Sequence, residues 1–207
     1  MITICSLYTK DIEDYAIIGN RSKIYWCKKQ GYKFVFLNEI LDNTRPAAWS
    51  KLLLLQQELN LNPDTSHVVW IDADTYILNY DFDIQKILDE IHTLFISKDF
   101  NGINAGIFAI TNTQQSKDLI SSWWGNTKHI GTAWQEQNAI MEWYKELGPI
   151  EIQRLVKIIP QYMINAYPNE RYFEMPNIIH LAGVNHAERT NMFIKLYKKD
   201  EKLFNCQ

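Results

Sequence analysis

Glycine is scarce in this sequence. It has 8 glycines in 207 residues, about half the usual ~7%, so a glycine-rich loop wrapped around a phosphate is not expected. Cysteine is scarcer: Cys5, Cys27 and Cys206 form an odd set with no CxxC spacing. That excludes a disulfide framework and a thiolate zinc site, and leaves reduced, buried thiols as the expectation. Basic residues are not in excess. Lys plus Arg number 21 against 24 Asp plus Glu, a formal net charge of -3, so no nucleic-acid partner is expected. Apolar runs stop at four or five residues, far short of the ~18 needed for a transmembrane segment. The start, Met1-Ile2-Thr3-Ile4-Cys5-Ser6, has neither a basic region nor a long apolar stretch and is not a secretory signal. These absences predict a cytoplasmic chain; a piece of a longer multidomain protein would carry the same pattern.

What is present is mostly ordinary. Hydrophobic residues are 46% and charged residues 22%, which excludes intrinsic disorder for the chain as a whole. The length suits a single domain with a sizeable core. One value is skewed: aromatics are 13%, with seven Trp and eleven Tyr. Core packing and stacking platforms are both open readings of that surplus.

Short apolar runs alternate with helical patterns. Ile2 to Tyr8 reads as a buried strand. A helix follows from Asp11 to Gln30, with Ile18, Ser22, Tyr25, Trp26 and Lys29 on one face and Gly31 as its stop. Lys33 to Leu37 is a second strand. Pro46 precedes a helix presenting Trp49, Leu52, Leu53, Gln56 and Leu59. Asn62-Pro63-Asp64 is a turn, and His67 to Ile71 a third strand. This β-α-β-α-β order predicts an α/β fold with a parallel sheet. Further on, Phe82 to Ile91 reads as a short helix, and Thr93 to Ser97 and Ile103 to Ile110 as strands. Helices are expected at Gln114 to Trp124 and Thr132 to Glu146. Strands recur at Val156 to Ile159 and Ile178 to Leu181, before a polar, Lys-rich tail.

The strongest chemical signal is Val68-Val69-Trp70-Ile71-Asp72-Ala73-Asp74. An apolar strand delivers two carboxylates at its carboxyl end, where open α/β sheets bind ligands. In extended chain, residues i and i+2 point to the same side, so Asp72 and Asp74 can converge past the small Ala73. Two hard oxygen donors suit Mg²⁺ or Mn²⁺. A capping or turn pair is the plainer alternative for a bare Asp-x-Asp.

Taken with other blocks, this strand resembles metal-dependent nucleotide-sugar glycosyltransferases of the GT-A fold. The nearest likeness is to the galactosyl-, mannosyl- and xylosyltransferase family of fungi and plants. Tyr25-Trp26-Cys27-Lys28-Lys29-Gln30-Gly31-Tyr32 resembles its tyrosine, two basic residues, glycine-tyrosine segment. Pro46-Ala47-Ala48-Trp49-Ser50-Lys51-Leu52 resembles its Trp-x-Lys helix start, and Trp70 to Asp74 its DxD strand. Ile103-Asn104-Ala105-Gly106-Ile107-Phe108-Ala109-Ile110 resembles its asparagine-x-glycine strand. Glu136-Gln137-Asn138-Ala139 and His180-Leu181-Ala182-Gly183 resemble its last two blocks. Each block is weak alone; their order and spacing, from about Tyr8 to Arg189, are specific together.

The resemblance implies a Rossmann-like, mostly parallel central sheet flanked by helices, with a small antiparallel part. Residues 1–110 would form the nucleotide-sugar-binding half and 111–207 the acceptor and catalytic half. Asp72, Asp74 and His180 would hold Mn²⁺ or Mg²⁺. Ser6, Leu7 and Tyr8 would frame the nucleotide, with Tyr8 stacking on its base, and Lys51 would lie near the diphosphate. Ala73, Asn104, Ala105, Gly106 and Gly183 would line the donor. Gly106 also carries its own signal, because a glycine inside a strand weakens it unless something must come close. Gln137 would sit at the far face of the anomeric carbon, beside Glu136, where the family often has Asp. Plant members carry a lysine shortly after the late histidine; Asn185 stands there, so phosphate neutralisation would pass to Arg189, His186 or Lys51, or rely on the metal. The implied reaction moves a sugar, with retention, from a nucleoside diphosphate (UDP rather than GDP) to a glycan or other hydroxyl acceptor. Asp99 to Asn101 and the region around Trp123, Trp124, Trp134 and Trp143 are the expected acceptor side. A nucleotide-sugar-binding module without turnover and a metal-dependent phosphoryl-transfer enzyme remain as alternatives.

Overall fold

The computed structural model describes residues 1–205. Strands and helices alternate along the first half. They run β1 (Ile2–Leu7), α1 (Glu13–Gln30), β2 (Lys33–Leu37), α2 (Ser50–Leu61), β3 (His67–Ile71) and β4 (Thr75–Ile77). The second half adds β5 (Leu94–Asp99), β6 (Gly102–Thr111), α3 (Gln114–Gly125), α4 (Gln135–Glu146), α5 (Pro149–Leu155), β7 (Val156–Ile159), α6 (Gln161–Ile164), β8 (Ile178–His180) and α7 (His186–Asn205). Six strands make the central sheet in the order β2-β1-β3-β6-β5-β7. Only β6 runs against the others, because it pairs antiparallel with both β3 and β5.

Both faces of the sheet are covered, which is why β1 and β3 are buried at every position and read as continuous apolar runs. Period-2 alternation sorts the side chains. Val68 and Trp70 enter a core with α2, α3 and α4. Val69 and Ile71 enter the opposite core with Trp26 and Cys27 of α1. A third cluster, built on Tyr15, Tyr76, Leu181 and Phe193, fixes α7 across α1. Cys5 and Cys27 are free and buried, as expected; Cys206 lies outside the described residues.

Several expectations need correction. The buried stripe of α1 is Tyr15, Ala16, Gly19, Lys23, Trp26 and Cys27, with Asn20 and Ser22 also buried, whereas Lys29 is exposed. The helix is covered by the sheet on one side and α7 on another, so its buried face is wider than one apolar stripe. On α2, Leu53 and Gln56 are only half-buried, while Lys51, Leu54, Leu55 and Glu58 are buried. The expected helix at Phe82 to Ile91 shrinks to one 3₁₀ turn at Ile84–Ile87. Asp89 accepts from the Ile91 and His92 amides there, and such side-chain bonds compete with helical ones. Helix α4 starts at Gln135, not Thr132. The Lys-rich tail is the helix α7, and β4, α5 and α6 were not foreseen.

Candidate active site

The chain leaves β3 in a tight turn. The Asp72 amide still donates to Gly106 O at 2.8 Å, and Thr75 Oγ1 closes the turn on Asp72 O at 2.7 Å. The turn feeds β4, which pairs antiparallel with β8 in a separate two-stranded ribbon, with Thr75 opposite His180. Leu181 N donates to Asp74 O at 2.9 Å and His180 N to Ala166 O at 2.8 Å. This ribbon carries a histidine 106 positions downstream to the carboxyl end of β3. Ligand atoms of Asp72, Asp74 and His180 all lie within 4.8 Å of one another.

Each of the three is oriented from behind. His180 Nδ1 faces Asn165 Oδ1 at 2.7 Å, and Asn165 Nδ2 donates to Ser97 Oγ at 2.9 Å. That leaves Nε2 directed at Asp74 Oδ1, 3.2 Å away, and Asp72 Oδ2, 3.9 Å away. Asp72 Oδ1 accepts from Trp70 Nε1 at 2.5 Å and lies 3.2 Å from Lys51 Nζ, so its Oδ2 is the atom left for the histidine side. Asp74 Oδ2 is 3.4 Å from Arg189. Gly106 is the floor under the imidazole: a Cβ there would stand 2.7 Å from His180 Nδ1. The glycine expected to allow a close approach does so, and His180 is the neighbour. Two carboxylates and an imidazole whose second nitrogen is anchored form a donor set that could hold a divalent metal ion.

Electrostatics follow from burial and pairing. Burial would raise Asp74, but the His180 charge, its hydrogen bond and Arg189 outweigh this and hold the carboxyl well below the usual range. Burial would lower His180, and Asp74 and Asp72 more than reverse it. Lys51 is 4% exposed and saturated: its ammonium meets Glu136 Oε1 at 2.7 Å, Ala105 O at 2.8 Å and Asp72. Burial would lower Lys51, yet Asp72 and Glu136 hold it above its ordinary value. Burial raises Glu136 in spite of Lys51, and its Oε2 has no partner.

Two clefts meet at the aspartates. The larger, about 750 Å³, is lined by Asn104, Gly106, Gln137, His180 and Gly183 as well as Asp72 and Asp74. The smaller, about 270 Å³, takes Leu7, Tyr8, Lys51, Ala73, Glu136 and Arg189, again with both aspartates. Ser6 is fully buried and lines neither, its Oγ without a partner. Ala105 is buried under the larger cleft and acts through its backbone: its N–H donates to Gln137 Oε1 at 2.9 Å.

The expected acceptor side divides. Asp99, Phe100 and Asn101 do line the larger cleft. Of the four tryptophans, only Trp134 reaches it. Trp123 is buried against Phe108 and Trp143, and Arg45 lies 3.7 Å from the Trp124 ring centroid. His186 turns to Asp14 at 3.0 Å. Asn185 caps α7, its Oδ1 accepting from Glu188 N at 3.0 Å. No sequence pattern points to Asn165, to Tyr167, which donates to Asp99 at 2.5 Å, or to Tyr15, which accepts from Arg189 at 2.8 Å. All three sit at loop or helix positions with no pattern of their own.

Comparison with known proteins fits this geometry. The chain is 26% identical over 216 residues to an alpha-1,2-galactosyltransferase of Schizosaccharomyces pombe, covering 83% of this chain and 56% of that one. It is 27% identical over 118 residues to xyloglucan 6-xylosyltransferase 4 of Arabidopsis thaliana, covering 53% and 23%. The chain thus spans from about a quarter to just over half the length of these curated relatives. Among solved structures, a glycosyltransferase involved in glycosylation of the major capsid of PBCV-1 superposes with a TM-score of 0.77 at 20% identity, covering 94% of this chain and 98% of that one. The galactosyltransferase LgtC, in complex with donor and acceptor sugar analogs, gives 0.60 at 11% identity, covering 93% and 95%. These likenesses show the fold, the GT-A architecture expected from the sequence. The model of the galactosyl transferase GMA12/MNN10 family matches residues 7–94 and 89–191. The match runs from the end of β1 to the first turns of α7, through every segment that shapes the two clefts, and the chain therefore belongs to that family of glycosyltransferases.

Proposed function

We propose that this protein transfers a sugar from a nucleoside diphosphate, UDP in preference to GDP, to a glycan or other hydroxyl acceptor, with retention and with a divalent metal. The observation that carries the proposal is the convergence of Asp72, Asp74 and His180 where the two clefts join. Mn²⁺ or Mg²⁺ held there would supply Lewis-acid stabilisation of a diphosphate leaving group. The smaller cleft suits the nucleoside, with Leu7 and Tyr8 beside the base. The larger one suits the donor sugar and the acceptor hydroxyl.

Three cations were candidates for the leaving phosphates. His186 is engaged by Asp14. Lys51 is buried and fully paired. Arg189 is also held, by Tyr15, Leu181 O and Asp74, but it lines the smaller cleft with more of its side chain exposed than Lys51 has, and we assign the role to it. At the reacting centre, Gln137 and Asn104 line the larger cleft, whereas Glu136 is tied to Lys51. That supports front-face attack, with Gln137 polarity towards the developing cation and Glu136 holding Lys51 and Asp72 in place.

The test is incubation with a panel of nucleotide sugars and Mn²⁺, following free nucleotide. Release by the parental protein, lost in Asp74→Ala or EDTA, is expected. An Asp74→Ala variant that transfers sugar at the parental rate in EDTA would sink the metal assignment. Gln137→Ala should lower turnover. If Glu136→Gln abolishes turnover and a glycosyl-enzyme accumulates in another variant, front-face attack is wrong.

A further inference from the structure

The Lys-rich end of the sequence folds as the second half of α7, and its charges are sorted. Lys195, Lys198, Lys199 and Lys202 follow the i, i+3, i+4, i+7 spacing of one helix face, and all four are exposed. The opposite face is occupied. Phe193 is buried in the cluster that fixes α7 across α1, with Leu196 and Phe204 packed against it. The lysine stripe therefore points out of the molecule. Carboxylates are kept away from it. Asp200 turns inward, accepting from Tyr76 at 3.0 Å and Tyr80 at 2.9 Å, which leaves Glu201 as the one exposed acidic residue in this half of the helix. None of the four lysines is in an ion pair among the described residues.

This arrangement works against the helix. A solvated helix gains from an acidic residue four positions before each lysine. Here those positions hold Asn191, Ile194, Lys195 and Lys198, so two of the i, i+4 pairs are like charges, which destabilise. The protein as a whole has no basic excess, yet it gathers cations on one face.

Helix α1 extends that face. It runs beside α7 in the same direction: Asp14 meets His186, Arg21 meets Tyr197 and Tyr25 meets Phe204. Its outer side carries Ile17, Arg21 and Ile24 at i, i+4, i+7. Arg21 joins the two helices by donating to Tyr197 Oη at 2.8 Å. Ile17, Ile24, Ile194 and Leu203 are 37–42% exposed. Two helices side by side thus present five cations interleaved with four aliphatic side chains.

We propose that the outer face of α1 and α7 docks on the surface of an anionic lipid bilayer. Charge complementarity selects an anionic partner, and the aliphatic residues select among anionic partners. A nucleic-acid backbone offers them nothing, whereas a bilayer takes lysines at its headgroups and aliphatic side chains between them. No helix among the described residues is long and apolar enough to cross a membrane, so the contact is with the surface. The inner faces of both helices stay packed, and docking needs no unfolding. The inference does not rest on the transfer reaction proposed above.

The test is co-sedimentation of the protein with vesicles, without nucleotide sugar. One set is phosphatidylcholine alone and the other contains ~30% phosphatidylserine, both at ~0.1 M salt. Each lysine near an anionic surface contributes about fivefold, so the anionic vesicles should bind more than ~100-fold tighter than the neutral ones. Lys198→Gln with Lys199→Gln should weaken that binding about 25-fold. Changing all four lysines to Gln should reduce it to the level of neutral vesicles. The control, Lys86→Gln with Lys145→Gln, removes two exposed lysines elsewhere and should bind as the parental protein does. Ile24→Gln with Ile194→Gln should weaken binding by ~4-fold or more, the worth of one buried methylene. Circular dichroism checks that each variant is folded. Anionic binding no tighter than neutral, binding that survives the fourfold change, or a control weakened as much as the Lys198 and Lys199 pair overturns the proposal. So does an oligonucleotide bound through the same lysines with no binding to vesicles.

Discussion

On the metal reading proposed above, a single methyl group at Gly106 should remove most of the affinity for Mn²⁺. The added Cβ of Gly106→Ala would stand 2.7 Å from His180 Nδ1, closer still to Cε1, and 3.0 Å from Asn104 Oδ1. Ordinary heavy-atom contacts lie at ~3.5–4.0 Å, so the ring must retreat by about 1 Å. It cannot do so freely. His180 is 4% exposed, Nδ1 is held by Asn165, and Asn165 is anchored on Ser97. Overpacking of this kind costs ~1–3 kcal/mol of stability, and each kcal/mol lowers Tm by roughly 2–4 °C in a domain of this size. The metal should respond more sharply, because disturbing what orients a histidine ligand typically costs 10- to 100-fold in affinity. The assay is Mn²⁺ titration followed by electron paramagnetic resonance, with Gly125→Ala as the control. A Cβ at Gly125 meets nothing within 4 Å and should leave Mn²⁺ binding unchanged. If folded Gly106→Ala binds Mn²⁺ with parental affinity, His180 is not a ligand or its ring is not confined, and the reasoning fails.

Three further outcomes are expected. Trp70→Phe keeps the ring packing but removes the 2.5 Å bond to Asp72; Mn²⁺ affinity measured by calorimetry should fall about 10- to 20-fold, the low end for a hydrogen bond to a charged group. Lys51→Met strands the buried Glu136 carboxylate, and urea unfolding should show a loss of ~3–5 kcal/mol, partly recovered by adding Glu136→Gln. Lys23 is fully buried, and burial, opposed only in part by Asp74 and Asp72, pushes its ammonium down to about 7. Between about pH 7 and the unfolded value of ~10.4 the unfolded chain binds the extra proton, so stability in EDTA should rise with pH across that window. Lys23→Met should flatten the rise; an unchanged slope in urea melts would show that Lys23 is not its source.

What was legible in the sequence was whatever rested on local pattern. The apolar runs of β1 and β3, the turn at Gly31 and the paired carboxylates all follow from period, burial and a strand end. The match to family blocks singles out His180 and Gly106, which the fold brings together, without explaining why they touch. That explanation is tertiary. The ribbon of β4 and β8 is three residues wide on each side, too short to announce itself, yet it places His180 against the aspartates. Lys23 was invisible for a related reason: a lysine on a helix reads as solvated. Here it caps the turn from beneath, donating to Thr75 O at 3.1 Å and approaching Ala73 O at 3.5 Å. Trp70 is a core residue, but its indole nitrogen also orients Asp72, which no periodicity reports.

The same geometry explains why the scattered blocks of the sequence belong together. The Trp-x-Lys helix start, the aspartate strand, the asparagine-glycine strand and the Glu-Gln helix start are separated by tens of residues, and they meet on one ammonium. Lys51 bridges Glu136, Asp72 and the carbonyl of Ala105, so α2, the end of β3, β6 and α4 are pinned at a single buried point. Removing Lys51 or Glu136 leaves its buried partner with an unpaired charge. Substitutions within this group should therefore couple rather than add. It also gives Glu136 a reason for its length: an aspartate on the same helix would hold its carboxylate one methylene short of Lys51. The strained start of α4 at Gln135 thus has two consequences in adjacent residues. It brings Glu136 inward to the cation that steadies the aspartates, and it leaves Trp134 outward at the edge of the larger cleft.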